Sequence, residues 1–228
     1  MDINFEEEVE ILNKYNLILT INDRDKKIIE PFLHKKILTV LYPSKIKKLD
    51  KKLEKEKKMK IGFIGGDAQP NILGIIKFID EVILTLKENE NIELNIYGKV
   101  CNFLNNYKQN SKINIHGFTN DLEIPYKEND IMINPMTFGS GLKIKSIEAL
   151  CYGKCLITTD VGAQGLNMLR EGFIVENDFK KQKEMILKLY NSNDLITYYE
   201  NIIFELVKNT FSEQKIYKNL IKELKEVK

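Results

Sequence analysis

The segment 139–141, Gly-Ser-Gly, stands at the predicted start of a helix over 142–152 and precedes two lysines. The free backbone amides and the positive dipole end of such a helix attract anions. Lys143 and Lys145 are unfavourable beside that dipole end, and a bound anion removes the conflict. Glu148, farther along the helix, can accept hydrogen bonds from ligand hydroxyl groups. The segment therefore predicts a site for a phosphate-bearing ligand; the alternative is a surface pair between Lys145 and Glu148.

A second glycine-containing loop follows the predicted strand 60–65. Gly65 and Gly66 allow a ligand to approach the backbone closely, and the helix after them offers free amides. The pattern is not GxGxxG and therefore indicates no dinucleotide site, and a tight turn explains it equally well. A third loop, 158–166, also follows a predicted strand and contains two glycines. By itself it indicates only a loop.

The sequence lacks the motifs of several other kinds of catalytic and binding site. The sequence shows no Ser/His/Asp arrangement, no P-loop and no carboxylate cluster with metal-binding spacing. Cys151 and Cys155 are separated by three residues and have no second Cys or His pair nearby, so no zinc site is expected. Arg24 and Arg170 are the only arginines. A side-chain cation that binds phosphate is therefore expected to be a lysine.

Predicted strands alternate with predicted helices over the middle of the chain. The strands are 60–65, 92–97, 112–116, 130–134, 154–158 and 173–175. This alternation predicts an α/β fold, a doubly wound parallel sheet with helices on both faces. Because the carboxyl ends of parallel strands lie at one edge of the sheet, the three loops are expected to meet there. Three helices after residue 178 form a predicted helical C-terminal tail: 180–191, 194–209 and 212–227.

The N-terminal residues predict a small α/β appendage. Helices are expected at 4–15 and 23–32, and strands at 17–21 and 37–41. Two strands do not form an independently stable sheet, so this segment needs the main domain, another chain or more of its own protein. The predicted organisation is an appendage over 1–43, a basic linker over 44–58 and a main domain over 59–228.

The basic charge is concentrated between residues 44 and 60, which contain nine lysines and three acidic residues. Such a stretch can touch nucleic acid or an anionic membrane surface. No aromatic residue stands between the lysines, as a nucleic-acid platform would require. A solvated, partly helical linker is therefore preferred. No nucleic-acid partner is expected, and any membrane contact is expected to be peripheral.

The overall composition, 43% hydrophobic residues and a net charge of +2, is that of a globular protein. No apolar run approaches the ~20 residues of a membrane-spanning helix. The acidic N-terminus lacks the apolar core of a signal peptide. Three cysteines do not make a disulfide framework. We therefore expect a cytoplasmic protein, at most at the inner face of a membrane.

Residues 59–166 resemble the C-terminal, donor-binding domain of the group 1 glycosyltransferases, which have the GT-B fold. The resemblance rests on the order of three stretches: FIGGDAQPNILGIIKFI at 63–79, LNIYGKV at 94–100, and the segment 113–166 with GSGLKIKSIEAL at its centre. The appendage is similar to the end of the family's N-terminal Rossmann-like domain.

This resemblance implies transfer of a sugar from a nucleotide diphosphate donor to a glycan or lipid-linked acceptor, with retained anomeric configuration and without metal or cofactor. Glu148 matches the glutamate that binds the donor ribose. The other residues implied in donor binding are Gly65, Gly66, Gly139, Ser140, Gly141, Leu142, Lys143 and Lys145. His116, Gly117 and Phe118 stand where the base is expected.

The sequence departs from the family pattern at three places. Ser140 replaces an acidic residue that many members have, and Gly66 and Asn71 stand near positions often occupied by Arg and Lys. A subgroup with the same departures exists, and in it Lys143 and Lys145 would supply the positive charge. The sequence does not include most of the acceptor-binding domain, so we expect either the donor-binding half of a split enzyme, whose cleft a second chain completes, or a truncated copy or fragment. The alternatives are a catalytically inactive module that binds nucleotide sugar or a partner, and another GT-B activity such as a nucleotide-sugar epimerase.

Overall fold

The computed structural model describes residues 4–49 and 58–226. The density of contacts divides the chain into two units. The larger is Lys45–Lys208, and the smaller combines Met1–Ser44 with Asn209–Lys228. The last helix therefore belongs to the same unit as the N-terminal segment. The organisation predicted from the sequence places this helix in the main domain, 59–228.

Among the described residues, six parallel strands form the sheet of the larger unit, in the order β5-β4-β3-β6-β7-β8. The strands are β3 (Met59–Ile64), β4 (Ile92–Tyr97), β5 (Ile113–Gly117), β6 (Ile131–Asn134), β7 (Cys155–Thr158) and β8 (Ile174–Val175). The helices are α3 (Gln69–Glu81), α4 (Glu123–Glu128), α5 (Ile144–Cys151), α6 (Phe179–Tyr190) and α7 (Asn193–Phe211), the last extending into the smaller unit. The predicted α/β fold with a parallel sheet is confirmed.

Helices cover both faces of this sheet because its strands are apolar on both sides. On one face, Ile61 and Phe63 belong to the main hydrophobic core together with residues of α3 and α6. Gly62 points to the opposite face, where an added Cβ would lie 2.8 Å from Asn129, the residue after α4. A side chain at position 62 would separate α4 from β3, and the glycine permits this close approach.

The smaller unit contains a two-stranded parallel sheet with its own small core. Its elements are α1 (Phe5–Leu12), β1 (Leu17–Thr20), α2 (Asp23–Ile29), β2 (Lys36–Thr39) and α8 (Glu213–Glu226). Ile18, Leu33 and Ile37 are buried together. Leu19 and Ile21 remain about half exposed on the other face of β1.

The described residues 44–49 of the predicted basic linker have irregular backbone instead of the partly helical structure expected, and Lys45 and Lys47 keep exposed side chains while contacting the larger unit. Lys45 and Lys47 form ion pairs of 2.7 and 2.5 Å with Glu123, the first residue of α4. The backbone amides of Lys47 and Leu49 donate to carbonyl groups at the end of α5. Residues 50–57 of the linker lie outside the described residues, and its last residue, Lys58, forms a 3.2 Å ion pair with Glu93.

Within the described ranges, no helix is both long and apolar enough to span a bilayer.

Candidate functional site

The three glycine-containing loops lie at the carboxyl ends of β3, β6 and β7, which are neighbours in the sheet. The start of α3 packs against the loop after β6: a Cβ on Gly139 would lie 3.3 Å from Cγ of Pro70, and one on Gly74 would lie 2.8 Å from the carbonyl oxygen of Pro135. Thr159, after β7, donates a hydrogen bond to the carbonyl of Met136. The tertiary structure thus brings together the loops that the sequence predicts to form one site.

Helix α5 begins at Ile144, two residues later than predicted. Gly141 therefore precedes the helix and shares no helical face with Lys145 and Glu148. Its φ of +78° belongs to the left-handed region and not to an α-helix. Lys145 and Glu148 are three residues apart within α5 and do share a face.

The side chain of Lys145 lies between α5 and α3. Its amine donates a hydrogen bond to Oδ1 of Asn71 and lies 4.9 Å from the ring centroid of Phe63. Burial and, secondarily, the nearby charge of Lys143 lower the pKa of Lys145 to about 8. Lys145 is therefore still protonated at neutral pH, in a place where little water screens its charge.

Lys143 is the N-cap residue of α5, and its side chain is only 4% exposed. Its amine donates a 2.7 Å hydrogen bond to the carbonyl oxygen of Ser140. This hydrogen bond ties the 139–141 loop to the start of α5. Within the described part of the chain, the first backbone amides of α5 have no side-chain cap. Those amides can bind an anion.

Glu148 is half-buried, and burial raises the pKa of its carboxyl group. Its Oε2 accepts a 3.0 Å hydrogen bond from the hydroxyl of Tyr126, on α4. No local sequence pattern connects Tyr126 with Glu148, which stands 22 positions away, so only the tertiary structure identifies this partner.

A buried hydrogen-bond network fixes the loops around α5. Nδ2 of Asn134, at the end of β6, donates to Oγ of Ser146 at 2.8 Å, and Oγ of Ser146 donates to the carbonyl of Gly162 at 2.9 Å. An added Cβ on Gly162 would overlap Oγ1 of Thr158. The sequence placed Thr158 and Gly162 in a predicted loop but gave no sign of their contacts with Asn134 and Ser146. They act by holding the loops after β6 and β7 against the first turn of α5.

Gly65 and Gly66 differ in their surroundings. The amide of Gly65 donates to the carbonyl of Tyr97 at 3.0 Å, and its own carbonyl accepts from the amide of Val100 at 3.1 Å. Both backbone groups of Gly65 thus join β3 to β4. Gly66 is exposed, and its carbonyl accepts a 3.3 Å hydrogen bond from Nδ2 of Asn71. Gly66 therefore lies beside the residue that contacts Lys145.

The predicted base region lies at the carboxyl end of β5, the edge strand two positions from β3. The His116 ring stacks on Tyr97, with ring centroids 4.4 Å apart and planes 6° apart. Its Nε2 lies 2.9 Å from Oδ1 of Asn95. Phe118 is 70% exposed. An exposed aromatic ring offers a flat apolar surface, which is the kind of surface on which a nucleobase stacks.

Within the described residues, no group of three or more His, Cys, Asp or Glu side chains is placed to hold a metal ion. Cys151 and Cys155 are both buried. Burial raises the pKa of the Cys155 thiol well above its usual range.

Residues 58–192, more than half of the chain, match the family model described as "Glycosyl transferases group 1". A protein from Klebsiella pneumoniae, "Uncharacterized 44.6 kDa protein in cps region", is 26% identical over 183 residues. The match covers 71% of this chain and 45% of that relative. The chain thus spans about half the length of the curated relative that it matches.

Solved structures share the fold at low sequence identity. TarM is 16% identical with a TM-score of 0.78, and the match covers 95% of this chain and 45% of TarM. HepE of Anabaena is 11% identical with a TM-score of 0.75, covering 95% of this chain and 65% of HepE. The C-terminal domain of LpcC from Francisella tularensis is 20% identical with a TM-score of 0.55, covering 69% of this chain and 88% of that domain.

Proposed function

The chain belongs to the group 1 glycosyltransferases, and from this premise we propose that its larger unit binds the nucleotide diphosphate of an activated sugar. Lys145 and the first amides of α5 contact the diphosphate in this proposal. Glu148 accepts hydrogen bonds from the ribose hydroxyls, and the region around His116 and Phe118 receives the base.

The observation that carries this proposal is the common face of Lys145 and Glu148 on α5. The two residues are one turn apart, and residues at this spacing have Cβ atoms ~5–6 Å apart on a helix surface. One offers a desolvated positive charge, and the other offers a carboxylate. A diphosphate joined to a ribose presents an anion and hydroxyl donors at a similar spacing, so both groups are complementary to one ligand.

We further propose that the full reaction transfers the sugar to a glycan or lipid-linked acceptor with retention and without a metal ion. HepE has been crystallised with UDP and glucose, and TarM with UDP and α-GlcNAc-glycerol. The Klebsiella relative is described as lying in a cps region. These descriptions support a UDP-type donor and a surface-glycan acceptor. In this proposal, catalysis consists of positioning and of stabilising the charge that develops on the leaving diphosphate.

A second candidate function is binding without catalysis. It is favoured by Ser140, which stands where many relatives have an acidic residue, and whose carbonyl accepts a hydrogen bond from Lys143. In this alternative, the chain binds nucleotide sugar without transferring it, or pairs with another transferase chain. Sugar transfer by the purified chain alone, measured with a labelled donor, would exclude the non-catalytic function.

Calorimetric titration with UDP, GDP, ADP and CMP tests the proposal directly. We expect one nucleotide to bind selectively and Glu148→Ala to weaken that binding by about tenfold or more, because hydrogen bonds to a charged group are lost. Glu81→Ala is the matched control, since Glu81 is a helical glutamate paired with Lys77 outside the site. Binding of none of the four nucleotides by the folded chain would contradict the proposal.

A further inference from the structure

Tyr126 is a fully buried residue of α4 whose hydroxyl contacts two residues of α5 in the candidate site. Its side chain is 0% exposed, and its ring stacks on Tyr152 with centroids 4.7 Å apart. The hydroxyl lies 3.0 Å from Oε2 of Glu148 and 3.5 Å from the carbonyl oxygen of Lys145. The hydroxyl oxygen of Tyr126 therefore contacts both of the α5 residues that are proposed to bind the ligand.

The hydrogen bond determines which oxygen of Glu148 faces a ligand. A phenol hydroxyl has one proton to donate, and it is directed to Oε2. The second oxygen, Oε1, has no hydrogen-bond donor from the described parts of the chain. A carboxylate has about four acceptor positions, so the free oxygen can accept from ligand hydroxyls while Tyr126 holds the other.

Tyr126 is held in place by burial, by stacking on Tyr152 and by contacts of its helix. Its helix, α4, is joined at its first residue, Glu123, to Lys45 and Lys47 by two ion pairs. The residue after the helix, Asn129, donates a 2.6 Å hydrogen bond to the carbonyl of Pro125. A group held in this way can orient a neighbouring side chain before the ligand arrives, which lowers the entropy lost on binding.

We propose that Tyr126 is a positioning residue that fixes the Glu148 carboxylate for hydrogen bonding to the donor ribose. The inference rests on the proposed function, because it assumes that Glu148 binds the ribose. It assigns to Tyr126 a role in ligand recognition in addition to its role in packing. The two roles are separable, because only the first depends on the ribose hydroxyl groups.

A ribose-specific titration separates the two roles. The affinities of the wild type and of Tyr126→Phe are measured for UDP, GDP and ADP, each beside its 2′,3′-dideoxy counterpart. For the nucleotide that binds, we expect Tyr126→Phe to weaken affinity about tenfold. For the dideoxy counterpart, which has no hydroxyl groups for Glu148 to bind, we expect a change of less than about twofold.

Tyr107→Phe is the matched control. Tyr107 also donates its hydroxyl to a carboxylate, Oδ1 of Asp80 at 2.8 Å, but it lies outside the candidate site. This variant is expected to bind both forms of the nucleotide as the wild type does. Circular dichroism and thermal unfolding of each variant establish that it is folded.

A second background addresses the possibility that Tyr126→Phe leaves an unpaired carboxylate and prevents folding. In Glu148→Ala, no acceptor for the Tyr126 hydroxyl remains at position 148. Adding Tyr126→Phe to Glu148→Ala is expected to change nucleotide affinity less than about twofold, because the carboxylate that Tyr126 orients has been removed.

The outcomes distinguish this inference from the proposed function. If the wild type binds none of the nucleotides, or binds the dideoxy forms equally well, the ribose role of Glu148 and this inference are both wrong. If the wild type prefers the ribose form but Tyr126→Phe weakens both forms equally, the proposed function stands and Tyr126 is purely structural. An equal loss in the Glu148→Ala background would also overturn the inference.

Discussion

The side-chain amine of Lys145, in the first turn of α5, donates a hydrogen bond to Oδ1 of Asn71, in the first turn of α3. The bond joins two helix N-termini, and each of them is the positive end of a helix dipole. Asn71 accepts the bond without carrying charge, so the positive charge of Lys145 is oriented but not neutralised. This arrangement makes the region attractive to an anion.

We expect diphosphate affinity to fall at alkaline pH because Lys145 loses its proton, and we call this loss of affinity the alkaline limit. The pKa of Lys145, about 8, lies below the ordinary value because burial disfavours the charged form. As the pH rises through 8, Lys145 loses its proton, and affinity for the diphosphate should fall by up to about tenfold per pH unit. Between about pH 7.5 and 8.5 the terminal phosphate of UDP is ionised and the uracil ring still keeps its N3 proton, so the change over this range reports the protein.

Calorimetry of UDP binding across this pH range checks the prediction. In Lys145→Met, the affinity should be lower at pH 7 and should no longer fall above pH 8. Lys112→Met serves as the control, because the Lys112 amine donates to the carbonyl groups of Leu86 and Lys87 and not to a site residue. A pH profile unchanged by Lys145→Met would exclude this role.

A negative charge at position 71 should lower the affinity of the candidate site for a diphosphate. In Asn71→Asp, the carboxylate would pair with Lys145, raise its pKa and compete with the ligand for its charge. We expect diphosphate affinity at pH 7 to fall about tenfold, with the alkaline limit moving to higher pH. Asn71→Ala removes the acceptor without adding charge and should weaken binding less. Equal losses in the two variants would contradict the electrostatic explanation.

Glu148 is expected to reduce the stability of the unliganded fold. Its raised pKa means that the folded chain favours the protonated form, so the ionised form present at pH 7 is destabilising. Glu148→Gln should therefore raise the free energy of unfolding at pH 7 by about 1 kcal/mol, as substitutions at binding sites often do. The gain should shrink as the pH is lowered and Glu148 becomes protonated.

Thermal unfolding of the wild type and Glu148→Gln at pH 7 and pH 4.5 measures this effect, and nucleotide titration at pH 7 measures the accompanying loss of affinity. A variant that is less stable at pH 7 would show that the carboxylate is compensated in the folded chain.

Two glycines at strand ends should differ sharply in their tolerance of a side chain. Both Gly98 and Gly117 have positive φ, +98° and +78°. A Cβ on Gly98 would overlap the carbonyl oxygen of Gly65, whereas a Cβ on Gly117 would meet nothing within 4 Å. Gly117→Ala should cost about 1 kcal/mol through backbone strain alone. Gly98→Ala should cost about 3 kcal/mol or more, because β3 and β4 must also separate.

Chemical denaturation of the two alanine variants gives both values under the same conditions. Similar losses of stability in the two variants would show that the contact between Gly98 and Gly65 relaxes without consequence.

The alternation of strands and helices was predictable because it depends on local sequence. Short apolar runs such as residues 60–65 and 92–97 end at glycine, and apolar residues at helical spacing follow them. These signals indicated a parallel sheet and placed the three loops at one edge. The start of α5 was predicted two residues early because the apolar Leu142 continues the helical pattern. The positive φ of Gly141 and the 2.7 Å hydrogen bond from Lys143 to Ser140 delay the helix.

Local sequence was enough to place Lys145 and Glu148 at the sheet edge, because spacing along one helix specifies a shared face. Their partners, Asn71 and Tyr126, stand 74 and 22 residues away along the chain and could not be predicted in this way. A contact between two helices depends on how both pack on the sheet, and this packing involves the whole chain. The charge and the hydrogen-bonding direction of the candidate site are therefore properties of the folded chain.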